Sequence, residues 1–238
     1  MNRLLIDNAL NEKEYIKNIS TDENILINDL KFDKYTFNIN NSNVNIFIDL
    51  DTSKKVEYEI NVNGGIVSFN NISFNSNDTK IVCNLNKKDS KILINNTVLS
   101  KLKLVKYDIK INHNNKKTNS DIYNNGVSKD SGSINFNVVS SVLKGNDSCT
   151  VNQDSKIISL NDNNINEINP VLLIDEYDCN ASHSAFIGDF KGDKLFYLMS
   201  RGLSKKDALK LLLNGLLIGT LDICFEEKEM LKKKIINW

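Results

Sequence analysis

The chain has no excess of charge: thirty Lys and Arg balance thirty Asp and Glu over 238 residues. Overall charge therefore gives no reason to expect nucleic acid or an anionic membrane as its primary partner. No apolar run approaches the roughly 20 residues that a membrane-spanning helix needs. The four cysteines, Cys83, Cys149, Cys179 and Cys224, are too widely spread for a C-x-x-C or similar metal spacing. Met1 to Ile16 carries acidic residues where a secretory signal would need an apolar stretch, so reduced thiols in a cytoplasmic protein are expected. There is no G-x-x-x-x-G-K-[ST] phosphate loop, and no catalytic residue is expected. Proline occurs once, whereas asparagine is abundant enough to make triplets such as Asn71-Ile72-Ser73 and Asn180-Ala181-Ser182 ordinary coincidences.

What is present begins with Leu4, Leu5, Leu10, Tyr15 and Ile16 at roughly helical spacing, which predicts one or two short helices over residues 1–33. Ser20 to Glu23 forms a cap or turn signal before the next apolar patch. From about Lys34 to Ile187 the period changes to two. Val44, Ile46 and Ile48 share one parity, and Val56, Tyr58, Ile60 and Val62 alternate with Glu57, Glu59, Asn61 and Asn63. Shorter alternating runs follow around Ile81–Leu85, Val105–Ile111 and Ile134–Val138, so these are half-buried strands. The Asn/Asp/Ser/Gly clusters at 61–65, 75–79 and 161–164 read as turns between them. No stretch is long enough for helical crossovers. An antiparallel sandwich and a solenoid of stacked coils both remain, because no repeat of about 20 to 25 residues shows.

The C-terminal part is helical. Leu195, Phe196, Leu198 and Met199 form a compact pattern that Gly202 would stop. Ser204-x-x-Asp207 is a capping box for a helix from about Lys205, with Ala208, Leu211, Leu212, Gly215 and Leu216 on one face. A last amphipathic helix runs from about Leu221 to Ile236, acidic at its front and closing on Lys232 to Lys234, which complements the helix dipole and reads as a solvated terminus.

One segment carries a resemblance. Asp178-Cys179-Asn180-Ala181-Ser182-His183-Ser184-Ala185, then Gly188 and Leu195-Phe196-Tyr197-Leu198-Met199-Ser200-Arg201-Gly202-Leu203, resembles the hallmark of the SufB/SufD family of iron–sulfur cluster assembly proteins. There an Asp-rich strand leads through a short Ser/Thr-His element into an LFYL-x-SRG-[IL] helix and an A-x-x-L-[IL] helix. Upstream, His113 with Ser120 resembles the family's H-x-x-x-x-T-x-S stretch. Val127 to Val139 and Gln153 through Pro170 to Ile174 follow in matching order. The resemblance covers about residues 100 to 235 and is strongest over 169 to 217.

It implies a mainly β protein: a right-handed parallel β-helix core over 34–188, with the short N-terminal helical segment before it and a C-terminal helical segment over 189–238. It further implies a scaffold with no catalysis of its own. Such chains pair through their cores, here as a SufD- or SufB-like homodimer or with a longer paralogue. Their C-terminal helices dock a SufC-like ABC-type ATPase, for which Phe196, Tyr197, Arg201, Leu203, Leu212 and Leu216 are the candidate surface. At helical spacing the same residues also suit simple packing onto the β-helix. His183 aligns with the hallmark histidine and, with Cys179, is the candidate ligand for a transient iron–sulfur cluster. Many relatives carry a cysteine two positions before that histidine, where this chain has Ala181; Cys179, Ala181 and His183 share one face of an extended strand. Asp175, Glu176 and Asp178 are further oxygen donors or strand-end solvators. Cys83, Cys149, Cys224 and His113 lack a local constellation. The competing reading is a β-solenoid binding module or carbohydrate-active protein, against which the lack of aromatic sugar platforms weighs.

Overall fold

The computed structural model describes residues 13–27, 32–50, 54–74, 78–161, 163–190 and 192–237. Every strand pairing among them is parallel. Parallel pairing with no helical crossover requires each strand to stack on its equivalent one coil away, so the sandwich is excluded and the chain winds as a β-helix.

One wall is built from β1 (Glu14–Ile19), the first half of β3 (Lys34–Leu50), the first half of β4 (Val56–Phe74), β5 (Thr79–Leu85), β7 (Leu104–His113), β9 (Ser133–Val142) and β11 (Glu167–Ile174). The other wall takes β2 (Glu23–Ile27), the second halves of β3 and β4, β6 (Lys91–Ser100), β8 (Asn119–Ser128), β10 (Cys149–Ser159) and β12 (Cys179–Gly188). At 17 and 19 residues, β3 and β4 run round a corner and belong to both walls. Asn61 to Gly65, which reads as a turn between strands, is the bend inside β4. The corner is left-handed in successive coils, at Asn41 (φ 50°), Gly64 (φ 101°), Asp89 (φ 64°), Lys117 (φ 56°) and Ser148 (φ 59°). A Cβ on Gly65 would lie 2.0 Å from the Ser42 carbonyl oxygen, so only glycine fits beside that neighbouring coil.

The N-terminal helices predicted for residues 1–33 are corrected: residues 14–19 and 23–27 are strands, and residues 1–12 lie outside the described part. Tyr15 and Ile16, adjacent in sequence, go to opposite faces; Tyr15 joins the core aromatics and Ile16 is 59% exposed. Both short strands hydrogen-bond to the single long edge of β3, and that ladder with the burial of Ile19, Ile25 and Ile27 outweighs a weak helical spacing. Among the described residues the first strand of the β-helix is Glu14–Ile19, so the boundary expected at residue 33 falls inside the solenoid.

The missing repeat has a geometric cause. Stacked equivalents are 20 residues apart at Asn18 and Asn38, 23 at Asn38 and Asn61, 28 at Asn84 and Asn112, and 32 at Asn137 and Asn169. The coil lengthens along the chain, so no fixed period exists to be found.

Those same pairs explain the asparagines. Asn18, Asn38, Asn61, Asn84 and Asn112 form an amide ladder, each Nδ2 donating to the preceding Oδ1 at 2.7–2.9 Å, closed by the Ser141 hydroxyl at 3.1 Å. Asn40, Asn63, Asn86 and Asn114 form a second at 2.9–3.1 Å. Stacked amides satisfy one another along the solenoid axis, which lets polar side chains repeat in strands without orphaned donors.

The lumen holds the main apolar core. Tyr58 lies fully buried between Tyr35 and Phe69, with ring centroids at 5.7 and 5.2 Å. A second apolar cluster lies outside the wall. There Phe47, Ile72, Phe74, Leu99, Val127 and Ile158 meet Leu217, Ile218, Leu221, Leu231 and Ile235 from the C-terminal helices. These helices are α1 (Gly192–Ser200), α2 (Lys205–Ile218) and α3 (Phe225–Asn237). Gly202, at φ 92°, ends α1 as expected, and Ser204 accepts from the Asp207 amide to start α2. The face of α2 differs from its expected one: Ala208, Leu217 and Ile218 are buried, whereas Leu211 is 53% exposed. Lys234 pairs with Asp49 and Lys232 with Glu229, so the lysine run is tied to the body as well as to solvent.

A third ladder, Asn45–Asn70–Asn95, fastens this helical segment. Asn70 Oδ1 accepts from the Asp222 amide at 2.9 Å, and the Asp222 carbonyl accepts from Asn45 at 2.8 Å and Asn70 at 3.2 Å. Asn70→Ala is expected to destabilise the protein by about 2 kcal/mol, because it leaves a backbone amide and a ladder amide without partners. Limited proteolysis should then cut between Asp222 and Phe225 sooner; an unchanged cleavage rate and unfolding midpoint would contradict the clamp.

Candidate functional site at the open end of the solenoid

The last coil is β11 and β12, and each pairs with a neighbour on one side only among the described residues. In β12, Asn180 to Ile187 are all exposed. Register fixes which way its residues face. Cys179, Ala181, His183, Ala185 and Ile187 are level with Cys149, Val151, Gln153, Ser155 and Ile157, all buried, so they carry the lumen-side parity at the solenoid mouth. Ser182 and Ser184 point the other way and donate to Asn152 Oδ1 at 2.8 Å and Asp154 Oδ1 at 2.6 Å.

His183 thus stands one strand above Gln153. Gln153 is 2% exposed, and its Nε2 donates to Ser140 Oγ at 2.8 Å and the Val171 carbonyl at 3.2 Å. Its Oε1 is buried with no partner among the described residues. The lumen-side positions of the last coil are otherwise small or apolar: Ile168, Leu172 and Ile174 of β11 are half-buried, and Ala181, Ala185 and Ile187 of β12 are exposed.

Cys179 and His183 share a strand and a parity but are not brought together. Four residues of extended chain separate them by about 13 Å, so one iron cannot hold both. Cys179 is instead brought against Cys149, its register partner, in a cluster with Val142, Val151, Leu172 and Ile174. Burial raises the pKa of Cys179, with the neighbouring Cys149 adding to the effect. Spacing in sequence gave no sign of this pair, because it depends on the 30-residue offset of that particular coil.

The acids near the strand are occupied. Glu176 accepts from the amides of Gly145 at 2.7 Å and Tyr177 at 2.9 Å, and these backbone bonds hold its carboxyl below the usual range. The Asp178 carboxylate accepts from Ser148 Oγ at 2.8 Å. Both close the corner between β11 and β12. Among the described residues no group of three or more His, Cys, Asp and Glu side chains is placed to hold a metal.

His113, with no constellation in the sequence, has one in the structure. Its Nδ1 lies 2.8 Å from Thr118 Oγ1 and its Nε2 2.8 Å from Ser120 Oγ, so the H-x-x-x-x-T-x-S spacing spans one corner of the coil. The Thr118 hydroxyl donates to the Asn115 carbonyl at 3.0 Å, which leaves Nδ1–H as donor to Thr118 and Nε2 as acceptor from Ser120. The ring is neutral, and burial pushes its pKa down to about 4.

The helical surface differs from the mouth. No residue of α1 is buried; Phe196 and Tyr197 are 75% and 57% exposed, and Arg201 lies over the Tyr197 ring at 5.3 Å. Leu203 and Leu212 are half-buried, and Leu216 packs into the outer apolar cluster. The six candidate residues thus divide into an exposed set, Phe196, Tyr197 and Arg201, on and just after α1, and three half-buried leucines. A cleft of about 260 Å³ lined by Lys156, Phe186, Phe190, Lys194 and Leu216 lies between β12 and the helices.

The fold is thus that of a parallel β-solenoid with a helical segment clamped to its outer wall. The family model described as "SUF system FeS cluster assembly, SufBD core domain" matches residues 35–216, and the chain belongs to that family. It is 36% identical over 111 residues to the iron-sulfur cluster assembly protein SufD of Bacillus subtilis, an alignment covering 47% of this chain and 25% of that protein. It is 51% identical over 45 residues to an iron-sulfur cluster assembly SufBD family protein of Pyrococcus horikoshii, covering 19% and 10% respectively. The chain therefore spans about a quarter of the first relative and a tenth of the second.

Proposed function

We propose that the chain is a non-catalytic scaffold in a SUF-type iron–sulfur cluster assembly complex, pairing through its β-helix and docking a SufC-like ABC-type ATPase through its C-terminal helices. The observation that carries this is the division of the surface. The final coil presents edges that are unpaired among the described residues and an apolar mouth, whereas α1 presents large side chains and buries none. Unpaired sheet edges are templates for another chain, and exposed aromatic clusters are characteristic of partner surfaces. Family membership supports a place in a SUF complex, and in this reading a paralogue or second copy meets the mouth and the ATPase meets α1.

The cluster is cargo in this reading. His183 offers an imidazole at the mouth, and Cys179 a thiol about 13 Å away along the strand. A cluster forming at His183 takes its other ligands from the paired chain. The scaffold itself works in the cytoplasm, where free thiols such as Cys179 stay reduced.

Co-expression with a SufC-like ATPase tests the docking. The chain should co-purify with it, and Phe196→Asp with Tyr197→Ala should weaken binding roughly tenfold or more while leaving the fold intact. Failure of the unaltered chain to bind would remove the basis of the proposal. Mass measurement tests the pairing, and a strict monomer both alone and with the ATPase would contradict it. For the cargo, His183→Ala should lower iron and sulfide uptake in anaerobic reconstitution; equal uptake would leave a purely mechanical scaffold.

A further inference from the structure

We infer that Cys149 and Cys179 are a stacked dithiol that closes reversibly into a disulfide between β10 and β12. The two are register partners on adjacent parallel strands. Such strands lie about 4.8 Å apart, within the roughly 4.4–6.8 Å separation of Cα atoms that disulfides span. In-register residues project to the same side, and both side chains lie in one apolar cluster with Val142 and Val151. Cys149 is fully buried; its thiol donates to the Asn146 carbonyl at 3.2 Å, and Thr118 Oγ1 lies 3.2 Å from the sulfur. Cys179 is half-buried and forms the outer lip of the cluster.

Neither other cysteine competes. Cys83 lies in the lumen with Ile60 and Ile111 as register partners, and Cys224 is exposed at the start of α3. An oxidant small enough to reach Cys179 therefore generates an electrophilic sulfur with one thiol beside it.

Hydrogen peroxide is such an oxidant. The Cys179 sulfur attacks one peroxide oxygen, the O–O bond breaks, and a sulfenic acid and one water form. The Cys149 sulfur then attacks the Cys179 sulfur, the S–O bond breaks, and a second water leaves with the Cys149 proton. Two thiols and one peroxide become one disulfide and two waters. The product fastens the last coil, which carries His183, to the coil beneath, and withdraws the Cys179 thiol from any metal. None of this depends on iron–sulfur chemistry.

The test uses the full chain with Cys224→Ser, treated with hydrogen peroxide and then denatured for thiol titration. Two of the three remaining thiols should disappear, the mass should fall by two hydrogen atoms, and dithiothreitol should restore both. A non-reduced digest should link the peptides containing Cys149 and Cys179. Adding Cys179→Ser should abolish the link, and Cys149→Ala should leave Cys179 carrying only oxygen adducts. Circular dichroism separates these outcomes from unfolding, and Cys179→Ala replaces the serine variant if that one fails to fold. Retention of all three thiols, oxygen adducts alone in the unaltered pair, a link through Cys83, or a covalent dimer would each overturn the assignment.

Discussion

Tyr58→Ala is expected to destabilise the β-helix by about 4 kcal/mol, the range found for deleting a buried aromatic ring. Tyr58 is fully buried at the centre of the stack from Tyr35 to Phe69, where the coils on either side are pinned by their own ladders and collapse little into a cavity. Tyr58→Phe should behave in the opposite way. The phenol oxygen is buried without a hydrogen-bond partner among the described residues, and burial pushes its pKa well up. Removing it relieves an unsatisfied polar group, so Tyr58→Phe should be neutral or stabilising by up to about 1 kcal/mol. Urea unfolding of the three proteins decides this. A loss below about 1 kcal/mol for the alanine variant, or a comparable loss for phenylalanine, would mean that the ring is not packed as described.

Stability should also fall on acidification between pH 6.5 and about 4, and His113 should account for much of the fall. Its folded pKa is lowered to about 4 from 6.5 by burial. Between those values the unfolded chain binds a proton at His113 that the folded chain excludes. Stability therefore rises with pH through this window, is fully present above 6.5, and has lost about 3 kcal/mol by pH 4. Carboxylates held low add a separate loss at more acidic pH. Lys34 hydrogen-bonds Glu14 and Glu59, and the Gly145 amide bonds Glu176; each contributes stability that is present above the ordinary carboxylate range and lost as pH falls through its lowered value. Unfolding free energies of the native chain and His113→Gln at pH 7.0, 5.5 and 4.0 separate the two effects, since the carboxylates are common to both. Parallel pH curves would show that the imidazole is not the titrating group.

The oxidation chemistry at Cys149 and Cys179 and the acid sensitivity at His113 meet at Thr118. Its hydroxyl lies 2.8 Å from the histidine ring and 3.2 Å from the Cys149 sulfur. Thr118 thus adds a side-chain contact inside the wall to the backbone ladder that joins these coils. The mouth that carries His183 rests on this corner.

Several features could be read directly from residues. Alternation at Val56 to Val62 and at Val105 to Ile111 marks lumen-facing strands because the side-chain period of a strand is two whatever coil it belongs to. Ser204 with Asp207 and Gly202 mark helix ends because caps are satisfied within a few residues. The strand-to-helix junction of Asp178 to Leu203 carries its family signature in contiguous residues, so it too was visible.

Other features lay beyond any local pattern. Tyr15 and Ile16 suggested a helix, but the edge of β3 made Glu14–Ile19 a strand. Asn61 and Asn63, which looked like turn chemistry, are rungs of amide ladders whose members are 20 to 28 residues apart. The partner of Cys179 is 30 residues away, and although the H-x-x-x-x-T-x-S spacing contains both residues that hold His113, their convergence on the ring depends on the corner of the coil.

By itself, then, the sequence determined the strand period, the helix caps and the junction motif, all of which depend on forces acting within a few residues. The tertiary structure alone decided which coil stacks on which, and through that register it decided the ladders, the thiol pair and the open mouth. The reason is that coil length grows along the chain, so contacts between coils follow backbone hydrogen bonding between distant strands and have no constant spacing from which they could be read.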